Sequence, residues 1–200
     1  MRLVVVTPES DYPREHEILA ALFGEGLTHV HVRKPAWGKE AFGAWMVRIP
    51  AEYRPRLVLH QHHELGDPSG GLHQTERSAG QLPREGGFRS RAVHDLKTLA
   101  TAWGCYDRVL LSPVFPSISK PGHGPDARLD HRAIASALAA RPAKERPTEV
   151  LALGGVDATR IPLCAALGFD GVAVLGAVWN APDPLIAFRG LSAACRKERP

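Results

Sequence analysis

The residues best suited to chemistry in this chain of 200 residues follow short apolar runs. One apolar run, residues 109–111, leads into a loop of prolines, serines and glycine that carries one lysine, Lys120. The loop offers hydroxyl groups, backbone N–H groups and a cation, which together suit a phosphate. The same composition also occurs in ordinary surface turns with a solvated lysine, so the loop alone leaves both interpretations open.

Polar residues and glycines follow the other apolar runs in the same way, namely Thr7, Arg33, His60, His73, His94, Ser112, Gly154, Gly155 and Gly176. In parallel α/β folds the chemistry lies at the carboxyl-terminal ends of the strands. Glycines at the ends of the last two strands let backbone N–H groups approach a ligand closely, although each alone also suits a tight turn. As a pair at matching strand ends, they favour a phosphate site.

The elements that must position these residues alternate between short apolar segments and amphipathic stretches, which is typical of parallel βα folds. The pattern predicts helices over residues 15–24, 95–103 and 131–140, the last of them capped by Asp130. Strands are predicted over residues 3–7, 28–33, 56–60, 71–73, 89–93, 108–111, 149–153 and 171–175.

Eight strands in 200 residues predict a (β/α)8 TIM barrel, with an open doubly wound sheet as the alternative. No GxGxxG motif follows the first strand, which disfavours a dinucleotide-binding sheet. Residues 64–87 are rich in glycine and proline, so the crossovers there are expected to be shortened. The hydrophobic fraction of 44% supports one core, and we expect a single domain over residues 1–200.

Composition also excludes several classes of protein. No apolar run reaches the length of about 18 residues of a membrane span, and the amino-terminal run is too short for a signal peptide, so we expect a cytoplasmic protein. The net charge of +4 is spread along the chain, which fits a small anionic ligand better than nucleic acid. Cys105, Cys164 and Cys195 lack CxxC spacing and predict neither disulfides nor a zinc site.

Six segments, in order and at barrel-like spacing, resemble the thiamine phosphate synthases. They are residues 31–34 (HVRK), 71–73 (GLH), 92–94 (AVH), 112–120 (SPVFPSISK), 153–156 (LGGV) and 171–174 (GVAV). The resemblance covers most of the chain. It implies a (β/α)8 barrel that joins hydroxymethylpyrimidine diphosphate to a thiazole phosphate and releases pyrophosphate. The implied partners are therefore phosphorylated small molecules, with neither nucleic acid nor a membrane, and a homo-oligomer stays open.

By that resemblance, Arg33 and Lys120 would hold the diphosphate, and His94 would complete the catalytic set. Fixed cations stabilise the charge that gathers on a diphosphate as its C–O bond breaks, so no protein nucleophile is required. Without the resemblance, Arg33 fits a strand-end salt bridge equally well. Further substrate and phosphate contacts are expected from His31, His60, His73, Ser117, Ser119, Gly154, Gly155, Leu175 and Gly176.

The sequence departs from the family pattern at the metal. The family usually carries Asn-Asp after the third strand and another Asp after its Gly-Val-His segment, and these acids hold Mg²⁺. Here the pair aligns with His60 and Gln61, and the second acid falls near Ser78. Magnesium prefers oxygen ligands, so these replacements should weaken its binding. The family's Gln-Leu-Arg-Glu-Lys segment becomes His31–Pro35, which loses the acid and shifts the lysine to position 34.

Histidines are dense near two adjacent strand ends, at positions 60, 62, 63 and 73. They could form a transition-metal site or supply a general base. No HExxH motif supports zinc. We therefore expect His62 and His63 to face solvent, and His60 and His73 to bond to backbone carbonyls.

Two other functions stay open. The related thiazole tautomerases shift a proton without diphosphate or magnesium, and their base here would be His31, His73 or His94. That family usually has a histidine where this chain has Pro113, whereas residues 112–115 and Lys120 follow the synthase loop. A non-catalytic binder of thiazole phosphate is the third possibility. Synthase activity is the primary prediction.

Overall fold

Eight parallel strands close into a barrel in the order of the chain in a computed structural model, which describes residues 1–65, 70–75, 87–116, 129–143 and 147–198. Each strand pairs with the next, and β8 closes on β1 with Arg2 opposite Gly171. The strands are Arg2–Val6 (β1), Val30–Val32 (β2), Leu57–Leu59 (β3), Leu72–Gln74 (β4), Arg89–Val93 (β5), Arg108–Leu111 (β6), Glu149–Leu153 (β7) and Gly171–Val174 (β8). The predicted TIM barrel is confirmed.

Helices surround this barrel as Glu15–Gly24 (α1), Lys39–Arg48 (α2), Leu96–Ala100 (α3), His131–Ala139 (α4), Ile161–Ala166 (α5), Gly176–Trp179 (α6) and Pro184–Lys197 (α7). Aspartates cap three of them. Asp130 accepts a hydrogen bond from the Ala133 amide, and Asp95 and Asp183 cap α3 and α7 in the same way. Among the described residues, no helix is long and apolar enough to cross a bilayer.

The connection from β3 to β4 is short, as the glycine and proline content of residues 64–87 predicts. Its described part holds one 3₁₀ turn, His63–Leu65, in place of a crossover helix. His60 and His73, at the ends of β3 and β4, line the cavity described below.

Alternation along the strands divides the side chains between an outer and an inner core. Val30, Val32, Leu57 and Leu59 belong to the outer core beneath the helices. On the inner side, β1 and β6–β8 contribute an apolar half of Val4, Val6, Leu110, Leu151 and Ala173. The other inner side carries buried polar residues instead. They are His31 on β2, His60 directly after β3, His73 on β4 and Ser90 on β5. We call this side of the interior, with its three histidines and one serine, the imidazole half.

A close approach between two loops requires the glycine at position 155, directly after β7. Its φ is +63°, and an added Cβ would lie 2.1 Å from the Pro116 carbonyl oxygen. Gly155→Ala should therefore lower the free energy of unfolding by about 2 to 4 kcal/mol. Gly43→Ala in α2 is the control, because its added Cβ meets only Leu65 Cδ1 at 3.9 Å, and it should raise stability by about 0.5 kcal/mol. Urea unfolding measures both, and equal effects would contradict the packing argument.

Candidate functional site

A cavity with a volume of about 1200 Å³ lies at the carboxyl-terminal mouth of the barrel. Strands from both halves of the barrel end in it, so it combines an apolar side with a polar one. Its lining residues are Val6, Glu9, Arg33, Pro35, His60, Gln61, His62, His63, Glu64, Leu72, His73, Thr75, Ala92, His94, Leu110, Ser112, Leu153 and Leu175. Its position is the one at which (β/α)8 barrels bind their ligands.

Arg33 enters this cavity from the end of β2. The Thr7 hydroxyl accepts a hydrogen bond of 2.9 Å from the Arg33 backbone N–H, which ties the arginine to the end of β1. The Arg33 guanidinium forms an ion pair of 2.6 Å with Glu9, and the two side chains are 39% and 42% exposed. The salt bridge that the sequence left open is therefore present. Since an exposed pair contributes little, an incoming anion can replace the Glu9 carboxylate at small cost.

The neighbouring lysine, Lys34, has a different role. Its side chain is fully buried, and its Nζ donates at 2.8 Å to both the Glu15 carboxylate and the Ser10 carbonyl. Burial raises the pKa of Glu15, and the Lys34 ammonium opposes that shift. Because Lys34 is absent from the cavity wall, the shifted lysine of segment 31–35 stabilises the fold instead of contacting substrate.

His94 lies on the cavity wall after β5 and is exposed. Its Nδ1 lies 2.8 Å from the Ser112 carbonyl oxygen. A carbonyl only accepts hydrogen bonds, so Nδ1 carries the proton and Nε2 keeps its lone pair. His94 can therefore act as an acceptor or as a base toward a ligand.

The imidazole half of the barrel brings three histidines together beneath the cavity. One nitrogen of each of His31, His60 and His73 lies within 4.8 Å of the other two. His31 Nδ1 and His60 Nε2 are 3.0 Å apart, and the rings of His60 and His73 stack with their centroids 3.9 Å apart. His73 Nδ1 bonds to the Ser90 hydroxyl at 2.8 Å.

These contacts correct the expected roles of the histidines. The side chains of His60 and His73 bond to His31 and Ser90, so the prediction that they bond to backbone carbonyls was wrong. His62 and His63 are half-buried instead of facing solvent, and His62 Nε2 donates to the Trp37 carbonyl at 2.9 Å. The sequence analysis did not identify Ser90 or Glu9. Alternation along β5 places Ser90 on the inner side of the barrel, and Glu9 lies in the loop that follows β1, so both positions are signals for a site residue.

The three clustered histidines are uncharged near neutral pH. Burial holds the pKa of His31 and of His60 well below the usual 6.5, and the neighbouring imidazoles act in the same direction. Burial lowers the pKa of His73 to about 3, with smaller contributions from His63 and Arg33. The cluster therefore offers neutral nitrogen lone pairs under physiological conditions.

Acid should destabilise the protein through His73. The unfolded chain takes up this proton near pH 6.5, whereas the folded chain takes it up only near pH 3. The stabilisation is thus complete above pH 6.5 and is lost as the pH falls, by up to about 1.4 kcal/mol per pH unit. Urea unfolding between about pH 6.5 and pH 5 in chelator-containing buffer measures the slope. His73→Gln should show a shallower slope, and identical slopes would contradict the assignment.

The described residues do not fit a Mg²⁺ site. His60 and Gln61 occupy the positions of the family's first metal ligands, and the Gln61 amide bonds to the backbone N–H and carbonyl of Lys34. The two carboxylates on the cavity wall are paired with cations, Glu9 with Arg33 and Glu64 with Lys39. Magnesium requires several oxygen ligands in octahedral geometry, which this donor set does not supply.

Several predicted site residues stay predictions. Lys120, Ser117, Ser119 and Ser78 lie outside the described residues. Leu175 lines the cavity, and Gly176 begins α6 directly after it. Residues of the loop after β6, from Pro113 to Pro116, fill the space above Gly154 and Gly155. The phosphate contacts expected of Gly154, Gly155, Leu175 and Gly176 therefore stay predictions.

Known proteins resemble the chain along most of its length. A Geobacter sulfurreducens protein named as a thiamine-phosphate synthase is 34% identical over 157 residues, which is 74% of this chain and 70% of that protein. A thiamine-phosphate synthase of Methanocella arvoryzae is 34% identical over 93 residues, 46% of this chain and 41% of that one. No protein-family model matches the chain.

Solved structures show the same fold. The thiamine phosphate pyrophosphorylase of Bacteroides thetaiotaomicron superposes with a TM-score of 0.82 at 26% identity and covers 100% of both chains. The thiamine phosphate pyrophosphorylase of Pyrococcus furiosus gives a TM-score of 0.78 at 18% identity, and covers 100% of this chain and 97% of that one.

Proposed function

The chain belongs to the thiamine-phosphate synthase family, and we propose that it joins hydroxymethylpyrimidine diphosphate to a thiazole phosphate with release of pyrophosphate. The observation that carries the proposal is the cavity at the mouth of the barrel, where Arg33 provides a cation paired with the exposed carboxylate of Glu9. The fold shared with thiamine phosphate pyrophosphorylases supports it.

In this proposal Arg33 binds the diphosphate in place of Glu9. The C–O bond between the pyrimidine methylene and the diphosphate breaks, and the thiazole nitrogen forms a new C–N bond to the same carbon. The electron pair of the broken bond leaves on pyrophosphate, and the planar guanidinium fork stabilises the charge that gathers there. The apolar wall of Val6, Leu110 and Leu153 shields the electron-poor pyrimidine carbon from water.

A proton shift is the second candidate, favoured by His94 on the cavity wall, whose Nδ1 bonds to the Ser112 carbonyl and leaves the lone pair on Nε2. A thiazole tautomerase needs a base of this kind and no diphosphate-binding cation. The two candidates therefore place the chemistry on different residues of one cavity.

One assay separates the candidates. Purified untagged protein is incubated with both phosphorylated substrates, with Mg²⁺, with Zn²⁺ or with chelator, and thiamine phosphate and pyrophosphate are measured. Formation of both products in equal amounts supports the synthase, whereas no product under any metal condition overturns it. In a parallel incubation with the thiazole phosphate carboxylate alone, isomerisation would assign the tautomerase. Binding of thiazole phosphate without either reaction would leave a binder.

A cytoplasmic location and a homo-oligomeric state stay predictions of the sequence. The absence of nucleic-acid partners also stays a prediction.

A further inference from the structure

The three histidines beneath the cavity have features that their packing alone does not explain. All three are buried, yet His31 Nε2 has no hydrogen-bond partner among the residues that the structure describes. An unpartnered polar atom in a protein interior is costly, and native structures rarely retain one without a reason.

We propose that His31, His60 and His73 bind one divalent transition-metal ion, of the kind represented by Zn²⁺ and Co²⁺, with an open coordination position toward the cavity. His60 and His73 reach the cavity wall, while His31 lies behind them on β2. The ligands thus come from three adjacent strands of the barrel, which hold them in fixed register.

The spacing of the nitrogen atoms suits such an ion. Zinc binds imidazole nitrogen at about 2.0 to 2.1 Å in tetrahedral geometry, which places ligand nitrogens about 3.4 Å apart. One nitrogen of each of the three histidines lies within 4.8 Å of the other two. One ion between the three rings therefore fits this spacing, and binding requires the stacked rings of His60 and His73 to turn their nitrogens toward it.

Ser90 gives His73 the support that metal-binding histidines usually have. The Ser90 hydroxyl donates to the Leu72 carbonyl at 3.4 Å, so its oxygen accepts the Nδ1–H of His73 at 2.8 Å. The lone pair of His73 is consequently on Nε2. Partners of this kind fix the tautomer and the orientation of the ligating ring.

Charge determines what the open position accepts. Imidazole binds a metal ion through a neutral nitrogen. Three neutral imidazoles also leave the full double charge of the ion in place, which favours an anionic oxygen as the fourth ligand. Arg33 lines the same cavity and attracts the same kind of group. If the proposed function holds, that oxygen belongs to a substrate phosphate or diphosphate, and imidazoles have replaced the carboxylates of a magnesium site.

The test measures metal binding without substrate. Untagged protein is stripped with chelator, dialysed against Zn²⁺ or Mg²⁺ and analysed for bound metal. We expect one Zn²⁺ per chain and no retained Mg²⁺. Co²⁺ should give the intense visible absorption of a tetrahedral site, because a four-coordinate Co²⁺ ion lacks a centre of symmetry.

Three variants assign the ligands. His73→Asn should weaken Zn²⁺ binding by more than about 100-fold, and Ser90→Ala by about 10- to 100-fold. His62→Asn is the matched control, because its ring lies beside the cluster in sequence but bonds to the Trp37 carbonyl, and its affinity should equal that of the wild type. If His73→Asn does not fold, Ser90→Ala retains all three ligands and still decides the question.

Three results would overturn the metal site. They are no Zn²⁺ retained by the wild type, equal affinities in the wild type and Ser90→Ala, and a Co²⁺ spectrum typical of octahedral coordination. Zn²⁺ binding without formation of thiamine phosphate would overturn the synthase proposal and leave the metal site standing. Product formation by a protein that retains no Zn²⁺ after dialysis against it would overturn the metal site and leave the synthase proposal standing.

Discussion

Replacing Arg33 with alanine is expected to lower kcat/KM for thiamine phosphate formation by about 10²- to 10³-fold, the cost of removing one fixed stabiliser of developing charge. Arg33 is the arginine of the described cavity wall, and its partner Glu9 is exposed enough to be exchanged for an anion. The loss should fall mainly on kcat, since the leaving group gains charge only as the C–O bond breaks. Steady-state kinetics with both substrates varied measures it.

Two further variants test the geometry of this effect. Arg33→Lys keeps the charge but not the planar fork, so its activity should lie between those of the wild type and Arg33→Ala. Arg14→Ala removes another arginine that is paired with a carboxylate, Glu17, but lies outside the cavity wall, and it should leave the kinetics unchanged. Melting temperatures should stay close to the wild type in all three, because exposed ion pairs add little stability. Wild-type kinetics in Arg33→Ala would remove this residue from the site.

Lys34→Met is expected to lower the free energy of unfolding by about 3 to 5 kcal/mol. The substitution leaves the Glu15 carboxylate buried without its cation. Urea or guanidinium unfolding at neutral pH gives the value. The loss should shrink on mild acidification, since burial already raises the pKa of Glu15 and the carboxyl becomes neutral more readily than an exposed one.

A matched ion pair on the surface provides the control. Lys39 pairs with Glu64 at 3.4 Å, with side chains 59% and 53% exposed, so Lys39→Met should cost less than about 1 kcal/mol. The double variant Lys34→Met/Glu15→Leu removes both buried charges and should recover most of the lost stability. Equal losses in Lys34→Met and Lys39→Met would show that burial of the pair does not set its contribution.

The sequence predicted the barrel well because the relevant signals are local. All eight predicted strands match the observed ones to within about two residues, with valine and leucine as the signal where it is strongest, and the pattern of residues 15–24 matched α1 at both ends. Asp130 was correctly identified as a helix cap, since capping depends on the next three residues alone. Such features do not depend on how distant strands pair.

The chemistry of the site was less accessible, because it depends on which distant residues meet. The contact between His31 and His60 joins residues 29 positions apart through the register of β2 and β3. Likewise, a lysine that follows a strand could enter the cavity or be buried beside it. The Lys34 side chain is buried because it forms an ion pair with Glu15 of α1. Residue types alone do not distinguish these outcomes.

The division of the barrel interior separates stability from chemistry in this protein. Val4, Leu110, Leu151 and Ala173 hold one side together by apolar packing, whereas the ligands on the other side depend on different strands. A combinatorial library confined to positions 31, 60, 73 and 90 should therefore return folded barrels with altered metal or ligand selectivity. The same number of changes among the four apolar residues should yield mostly insoluble protein, so the fold offers a defined half for engineering new reactions.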